Sequence, residues 1–339
     1  MLHVSASGWA ATIGAVLGLL LLDWLVLGRG RRAISFATAV RWSIFYVAVS
    51  LVFGVVFGAI AGWDLGAQYF VGYVVEKSLS VDNLFVFLIV IGAFAVPANL
   101  QPRALSIGIV IALLLRAALI AVGAALIDAF SFMFLVFGLA LLATAVQLYR
   151  HREQDPDVAE NPVLRAARRV LPVTDGYRNG HLAVREHGGL VFTPLFMVLL
   201  AIGTTDVIFA LDSIPAVFGV TTHAYIVFAA NAFALLGLRP LFFLVSGLLD
   251  RLIYMSSGLA AILAFIGVKL VLEFAHEHNH HVPEISTVAS LFVIAATLSI
   301  TILASVIAAR RRPERRAHAG ALRGKVDERA EGRRPDFGA

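Results

Sequence analysis

Trp42-Ser-Ile-Phe-Tyr-Val-Ala-Val-Ser-Leu-Val-Phe-Gly-Val-Val-Phe-Gly-Ala-Ile-Ala-Gly62 runs without a single charged side chain. Coiled as a helix at about 1.5 Å per residue, it is about 32 Å long and matches the hydrocarbon thickness of a bilayer. Similar runs recur along the chain, and the apolar pattern predicts helices near residues 9–28, 42–62, 69–95, 104–127, 130–149, 191–219, 223–248, 252–272 and 285–309. The composition agrees: 60% of the residues are hydrophobic, 14% are charged, and the mean hydropathy is +0.87. A water-facing surface needs more charge than that. The expected fold class is all-α, a polytopic membrane bundle of about nine helices.

The charges are placed as a topology signal. Arg29 to Arg41, Arg103, the loop from Arg150 to Arg185, Arg251 and the tail from Arg310 fall on one side of such a bundle. Asp64, Gln68, Asp128, Thr221, His223 and Glu273 to Glu284 fall on the other, with no Arg or Lys in its loops. The positive-inside rule then predicts an external N-terminus and a cytoplasmic C-terminus. The net charge of +5 is accounted for by these loops and tails, so no nucleic-acid partner is expected. Trp9 to Leu27 has basic residues after it and none before it, which predicts a retained helix, not a cleaved signal. Cys is absent, excluding disulfides, thiolate metal sites and cysteine catalysis.

Residues 1–310 are thus expected to form one transmembrane domain with a cytoplasmic loop at 150–190. Residues 311–339, a mixture of Arg, Glu, Ala and Gly without periodicity, are expected to be disordered. The basic stretch Arg165 to Arg169 suits an amphipathic helix at the inner membrane surface, or equally a solvated linker.

Two segments share a pattern. Glu76-Lys-Ser-Leu-Ser-Val-Asp82-Asn83 and Asp206-Val-Ile-Phe-Ala-Leu-Asp212-Ser213 each hold two acids six residues apart, followed by a small polar residue. Downstream, Arg116 to Asp128 is echoed by Arg239 to Asp250. The predicted topology runs the first segment inward and the second outward. Such an inverted repeat is a common transporter design, with the substrate site between the halves.

Asp23, Glu76, Asp82, Asp206 and Asp212 fall inside predicted spans, where a charged carboxylate costs roughly 2.5–3.5 kcal/mol and faces a cavity or a partner. Arg116, Arg239 and Lys77 could neutralise some of them as buried ion pairs. Five acids against three bases leave a negative surplus, which favours a cation site. Six residues turn a helix through about 600°, so each pair of acids lies about 120° apart around its axis. Convergence on one ion therefore requires a broken helix or one acid from each half. Pro215 cannot donate to the Leu211 carbonyl, leaving a free acceptor beside Asp212. Ser78, Ser80, Asn83, Thr204, Thr205, Ser213 and Asn231 offer further oxygens, although Ser and Thr in such helices more often bond their own backbone. Oxygen-only ligands suit hard cations such as Mn²⁺, Mg²⁺ or Ca²⁺.

His276-Glu277-His278-Asn279-His280 matches a zinc-protease pattern, but it lies in an expected outer loop just before Val282-Pro283. No enzyme activity is expected from it. Metal capture at an outer mouth by His276, His278, His280 and His281 is the alternative. Gly14/Gly18 and Gly54/Gly58 have the spacing of helix-packing contacts.

The acidic motifs, with Val173-Thr-Asp175-Gly-Tyr177, Thr193-Pro-Leu, Thr205-Asp206, Asp212-Ser213-Ile-Pro215-Ala and Asn231, resemble the TerC family of integral membrane proteins. The likeness runs from about Asp23 to the last helix. It implies a bacterial inner-membrane protein, in a family linked to tellurium resistance and including manganese exporters, some tied to pH response or to metalation of secreted enzymes. It implies Mn²⁺ efflux, with Glu76, Asp82, Asp206 and Asp212 as ion ligands. Asn83, Ser213, Asn231 and Asp23 complete the candidate set. One departure is Gly203, where many members carry a Glu. No prosthetic group is expected, only a bound or transported Mn²⁺, with Ca²⁺ or Mg²⁺ as alternatives. The partners implied are the bilayer and the cation. The competing hypothesis is a scaffold that docks or metalates secretory or stress-response proteins, tellurite-resistance complexes included.

Overall fold

The computed structural model describes residues 4–27, 36–130, 132–151, 161–186, 189–245, 253–279, 282–283 and 285–311, without the side chains at 27, 81, 82, 85, 179, 245, 310 and 311. The expected tail, 311–339, therefore lies outside the described residues but for the backbone of Arg311.

The elements in order are α1 (Ala6–Leu27), α2 (Phe36–Ala61), α3 (Trp63–Ala93), α4 (Gln101–Ala129), α5 (Met133–Arg150), α6 (Pro162–Val170), a two-stranded hairpin of β1 (Ala183–Glu186) and β2 (Gly189–Phe192), α7 (Pro194–Phe218), α8 (Ala224–Leu235), α9 (Leu238–Val245), α10 (Met255–His278) and α11 (Thr287–Arg311). A helix stands at each position where the sequence predicts one, and the seventh is broken into α8 and α9. Helices α1, α2, α4, α5, α7, α10 and α11 are long and apolar enough to cross a membrane, and the α8–α9 pair, bent by 40°, raises the number to eight. Helix α3 stands apart because Glu76, Lys77 and Asp82 interrupt its apolar sequence. The chain is an all-α, polytopic membrane protein.

Leu, Ile and Phe side chains cover the outside, among them Leu17, Ile60, Leu114, Phe292 and Leu303. In lipid this is the favourable arrangement, so burial inside the bundle follows packing and polar pairing more than the escape from water. Helix α3 packs mainly on α8 and α4 mainly on α7, while α3 also touches α7 and α4 touches α8. Helices α5 and α10 form the closest pair. There a Cβ on Gly138 would stand 2.9 Å from the Gly267 carbonyl oxygen, and a Cβ on Gly267 2.9 Å from that of Gly138.

Between α2 and α3 the chain turns on one residue, Gly62, at φ 108°, which a side-chain-bearing residue rarely adopts. Gly58 and Gly66 approach across that turn, and Gly54 lies against Tyr69 and Phe70. The expected packing role of Gly54 and Gly58 is therefore present. A Cβ on Gly14 or Gly18, by contrast, would meet nothing within 4 Å among the described residues.

The 161–192 segment folds back onto the bundle. Asn161 caps α6 by accepting from the amides of Val163 and Leu164, and Pro162 occupies its first turn. Leu164 is buried, and Arg168 lies over the Phe94 ring at 5.5 Å. The Asn161 amide also donates to Thr204 Oγ1 at 2.9 Å, tying this segment to α7. In the hairpin, Ala183 pairs with Phe192 and Glu186 with Gly189. The Tyr177 hydroxyl, pushed up to about 12 by burial, donates to the Phe94 carbonyl at 2.6 Å. Tyr177→Phe is expected to cost about 1 kcal/mol and to speed protease cleavage within 161–192. Unchanged cleavage would show that the bond contributes nothing.

Candidate acidic centre

Arg116 on α4 is completely buried, and that fact organises the centre of the molecule. A guanidinium has five N–H donors, and burial is tolerable only if they are satisfied. All five have acceptors. Nε donates to Asp206 Oδ2 and Nη2 to Asp206 Oδ1, each at 3.2 Å, forming a two-pronged pair. Nη1 donates to Glu76 and, at 3.3 Å, to Ser213 Oγ. The Asn83 amide is oriented by its neighbours, its oxygen accepting from Nη2 at 2.7 Å and its nitrogen donating to the Leu79 carbonyl at 3.2 Å.

Glu76 comes from α3 and Asp206 from α7, so one acid from each of the two acidic segments meets at one point. This is the arrangement that helix geometry demands when neither helix breaks. Helix α7 indeed continues through Pro215 to Phe218 without interruption. The second acids point elsewhere. Asp212, about 120° further round α7, accepts from Thr144 Oγ1 of α5 at 2.8 Å. It lines a cavity of about 30 Å³ with Asn83, Thr144, Leu79 and Phe209. Asn83 thus touches Arg116 on one side and this cavity on the other. Asp82 is on α3, and its side chain is among those not described.

Glu76 Oε2, Ser80 Oγ and both amide atoms of Asn231 are among the buried polar atoms with no hydrogen-bond partner among the described residues. Ser80 follows Glu76 by one turn on α3. Asn231 follows Val227 by one turn on α8, and Val227 belongs to the same buried apolar cluster as Val71, Ile120 and Val217 of α3, α4 and α7. Two carboxylates against one guanidinium leave the described centre with a surplus negative charge.

Asp23 belongs to a different pair. It accepts from Arg239 Nη1 of α9 and from the Tyr46 hydroxyl, both at 3.2 Å. This pair lies on a separate cavity of about 780 Å³ between α1, α4 and the α8–α9 break. Of the hydroxyls, Ser78, Thr204 and Thr205 bond carbonyls of their own helices, those of Val74, Leu200 and Ala201. Gly203 faces Ile111, whose methyl would lie 3.4 Å from a Cβ there. His276 and His278 bind the Val282 and Phe274 carbonyls, and α10 ends at His278, so the protease-like string is not one helix. His280 and His281 lie outside the described residues. Among the described residues no three His, Asp or Glu side chains gather as a ready cage.

Two roles were not visible in the sequence. Thr144 is one hydroxyl in the apolar run Leu141-Leu-Ala-Thr144-Ala and gives no signal there. Lys77 serves the α8–α9 break, donating to the Ala234 and Leu236 carbonyls.

Comparison with known proteins agrees with this architecture. An uncharacterized membrane protein of Mycobacterium tuberculosis H37Rv is 43% identical over 326 residues, covering 92% of this chain and 82% of its own. One from Myxococcus xanthus is 40% identical, covering 90% and 93%. A protein of Escherichia coli K12, provisionally named the membrane-bound redox modulator Alx, is 40% identical, covering 79% and 87%. No solved structure matches. The profile of the integral membrane protein TerC family matches residues 61–313, from the Gly62 turn through α11, and the chain belongs to that family.

Proposed function

We propose that the protein exports a divalent cation, Mn²⁺ first among the hard ions, across the bacterial inner membrane. The observation that carries this is the meeting of Glu76 and Asp206 at Arg116, with Glu76 Oε2 left without a partner among the described residues and Ser80 one turn along α3. Buried polar groups are ordinarily satisfied, and intramembrane acids ordinarily serve a pathway. Glu76 and Asp206 are hard oxygen donors, and a divalent cation would compete with the Arg116 guanidinium for them. Arg116 is then an internal counter-ion: it holds the acids when cargo is elsewhere and gives them up when cargo arrives. Exchange for protons at the same carboxylates would complete the cycle. Asp82, Asn83, Asp212 and Ser213 would extend the path.

The inverted repeat fits this use. Exchanging α3 with α7 and α4 with α8 turns the α3–α8 contact into the α7–α4 contact, the relation expected between the principal contacts of two such halves. With α3 counted as a crossing, the described residues supply nine spans, and the proposed orientation has an external N-terminus and a cytoplasmic C-terminus. The redox role in the E. coli relative's name would need a carrier other than thiols here, since this chain has no Cys.

Expression is expected to lower cellular manganese severalfold under manganese load, and Asp206→Asn or Glu76→Gln to abolish that effect while the protein still reaches the membrane. Unchanged manganese with the wild-type chain would refute export. The scaffold hypothesis has one structural observation behind it, the ordered 161–192 segment held on the bundle by Asn161 and Tyr177. It requires Asp206→Asn to keep full function.

A further inference from the structure

Helix α8 ends at Leu235, and the chain passes through Leu236 and Gly237 before α9 begins at Leu238. Gly237 has φ 78°, and a Cβ there would stand 2.7 Å from Tyr46, so the break is a fixed part of the packing. A helix C-terminus carries the negative end of its dipole and carbonyls lacking helical donors. Inside a membrane such carbonyls must find a partner. In transporters with broken helices, that partner is often an alkali cation or a proton.

Here it is a side chain. Lys77 Nζ donates to the Ala234 carbonyl at 3.0 Å and to the Leu236 carbonyl at 3.4 Å. The C-terminus of α7 is treated alike, with Lys269 Nζ donating to the Gly219 carbonyl at 2.7 Å. Lys77 directly follows Glu76, so neighbouring residues of α3 face the acidic centre and the break. We propose that Lys77 is a tethered monovalent cation at the α8–α9 break, and that removing its ammonium uncovers a carbonyl site for sodium ion.

The consequence for coupling rests on the transport reading: with the break already filled, cation export proceeds without sodium. The site itself does not depend on transport. Thermal unfolding of the purified full chain, in sodium chloride and in choline chloride at equal ionic strength, tests it. The wild type is expected to unfold at the same temperature in both salts. Lys77→Ala should lose about 4 °C or more in choline and regain most of it in sodium, with a saturable dependence. Lys77→Gln, whose amide still donates to the carbonyls, should lose less and recover less. A wild type stabilised by sodium, or two variants that sodium fails to restore, would overturn the proposal.

Manganese flux by wild-type proteoliposomes, measured in both salts, separates the two ideas. Equal flux is expected, and sodium-dependent flux would overturn the inference that the filled break makes export independent of sodium. No flux in either salt, with sodium still rescuing Lys77→Ala, refutes export and keeps the site.

Discussion

Arg116→Met should destabilise the folded protein by about 3–5 kcal/mol, because it strands two buried carboxylates that lose their shared counter-ion. Arg116 is the one cation in contact with Glu76 and Asp206 among the described residues, and all five of its donors are engaged. Methionine keeps much of the side-chain volume, so a cavity adds little to the loss. Two additions make the test specific. Combining Arg116→Met with Glu76→Gln and Asp206→Asn removes the stranded charges and should recover most of the stability. Millimolar manganese should raise the unfolding temperature of Arg116→Met more than that of the wild type, since at a given concentration a ligand stabilises the folded state more the more tightly it binds. Thermal unfolding with and without metal measures both. An Arg116→Met protein as stable as the wild type would show that the ion pairs contribute nothing. One that unfolds early but ignores manganese would limit Arg116 to a structural role.

Gly138→Leu should have the second large effect. No side chain fits where α5 crosses α10, since Val271 also stands 2.9 Å from a Cβ at this position and Leu270 3.2 Å. Overpacking of this kind costs about 1–3 kcal/mol, and the helices can relieve it only by separating. Separation carries Thr144 away from Asp212, so manganese export should fall even in the fraction that remains folded. Gly138→Ala should be intermediate. Wild-type unfolding and export for Gly138→Leu would mean that the two helices do not cross this closely.

Much of this molecule was legible in its sequence, for a physical reason. A bilayer accepts few structures, and a run of about twenty apolar residues has one way to satisfy its backbone there. Helix positions followed directly. Their ends did not: α3 reaches back to Trp63, because Gly62 alone makes the turn that a longer loop was expected to make. The α8–α9 break was expected as continuous helix, although Gly237 and Pro240 were there to read. The acids and the bases able to neutralise them were also readable. Which acid goes with which base was not, because partners come from helices far apart in sequence. Glu76 and Asp206 share Arg116, whereas Asp23 goes to Arg239 and Asp212 to a threonine. Periodicity gives the face of a helix on which a side chain stands, and only packing decides what that face meets.

The pairing of Asp23 with Arg239 also has a history in time. The two residues are 216 positions apart, so the ribosome delivers the acid long before the base. At typical synthesis rates the interval is about 10 to 40 s. Through that interval α1 has no Arg239 to receive its carboxylate, which must stay near the headgroups or take up a proton. Only when α9 is laid down does Asp23 gain its charged partner, beside the Tyr46 hydroxyl already offered by α2. The first helix thus receives its ion pair only after most of the bundle has been made, with α10 and α11 still to follow.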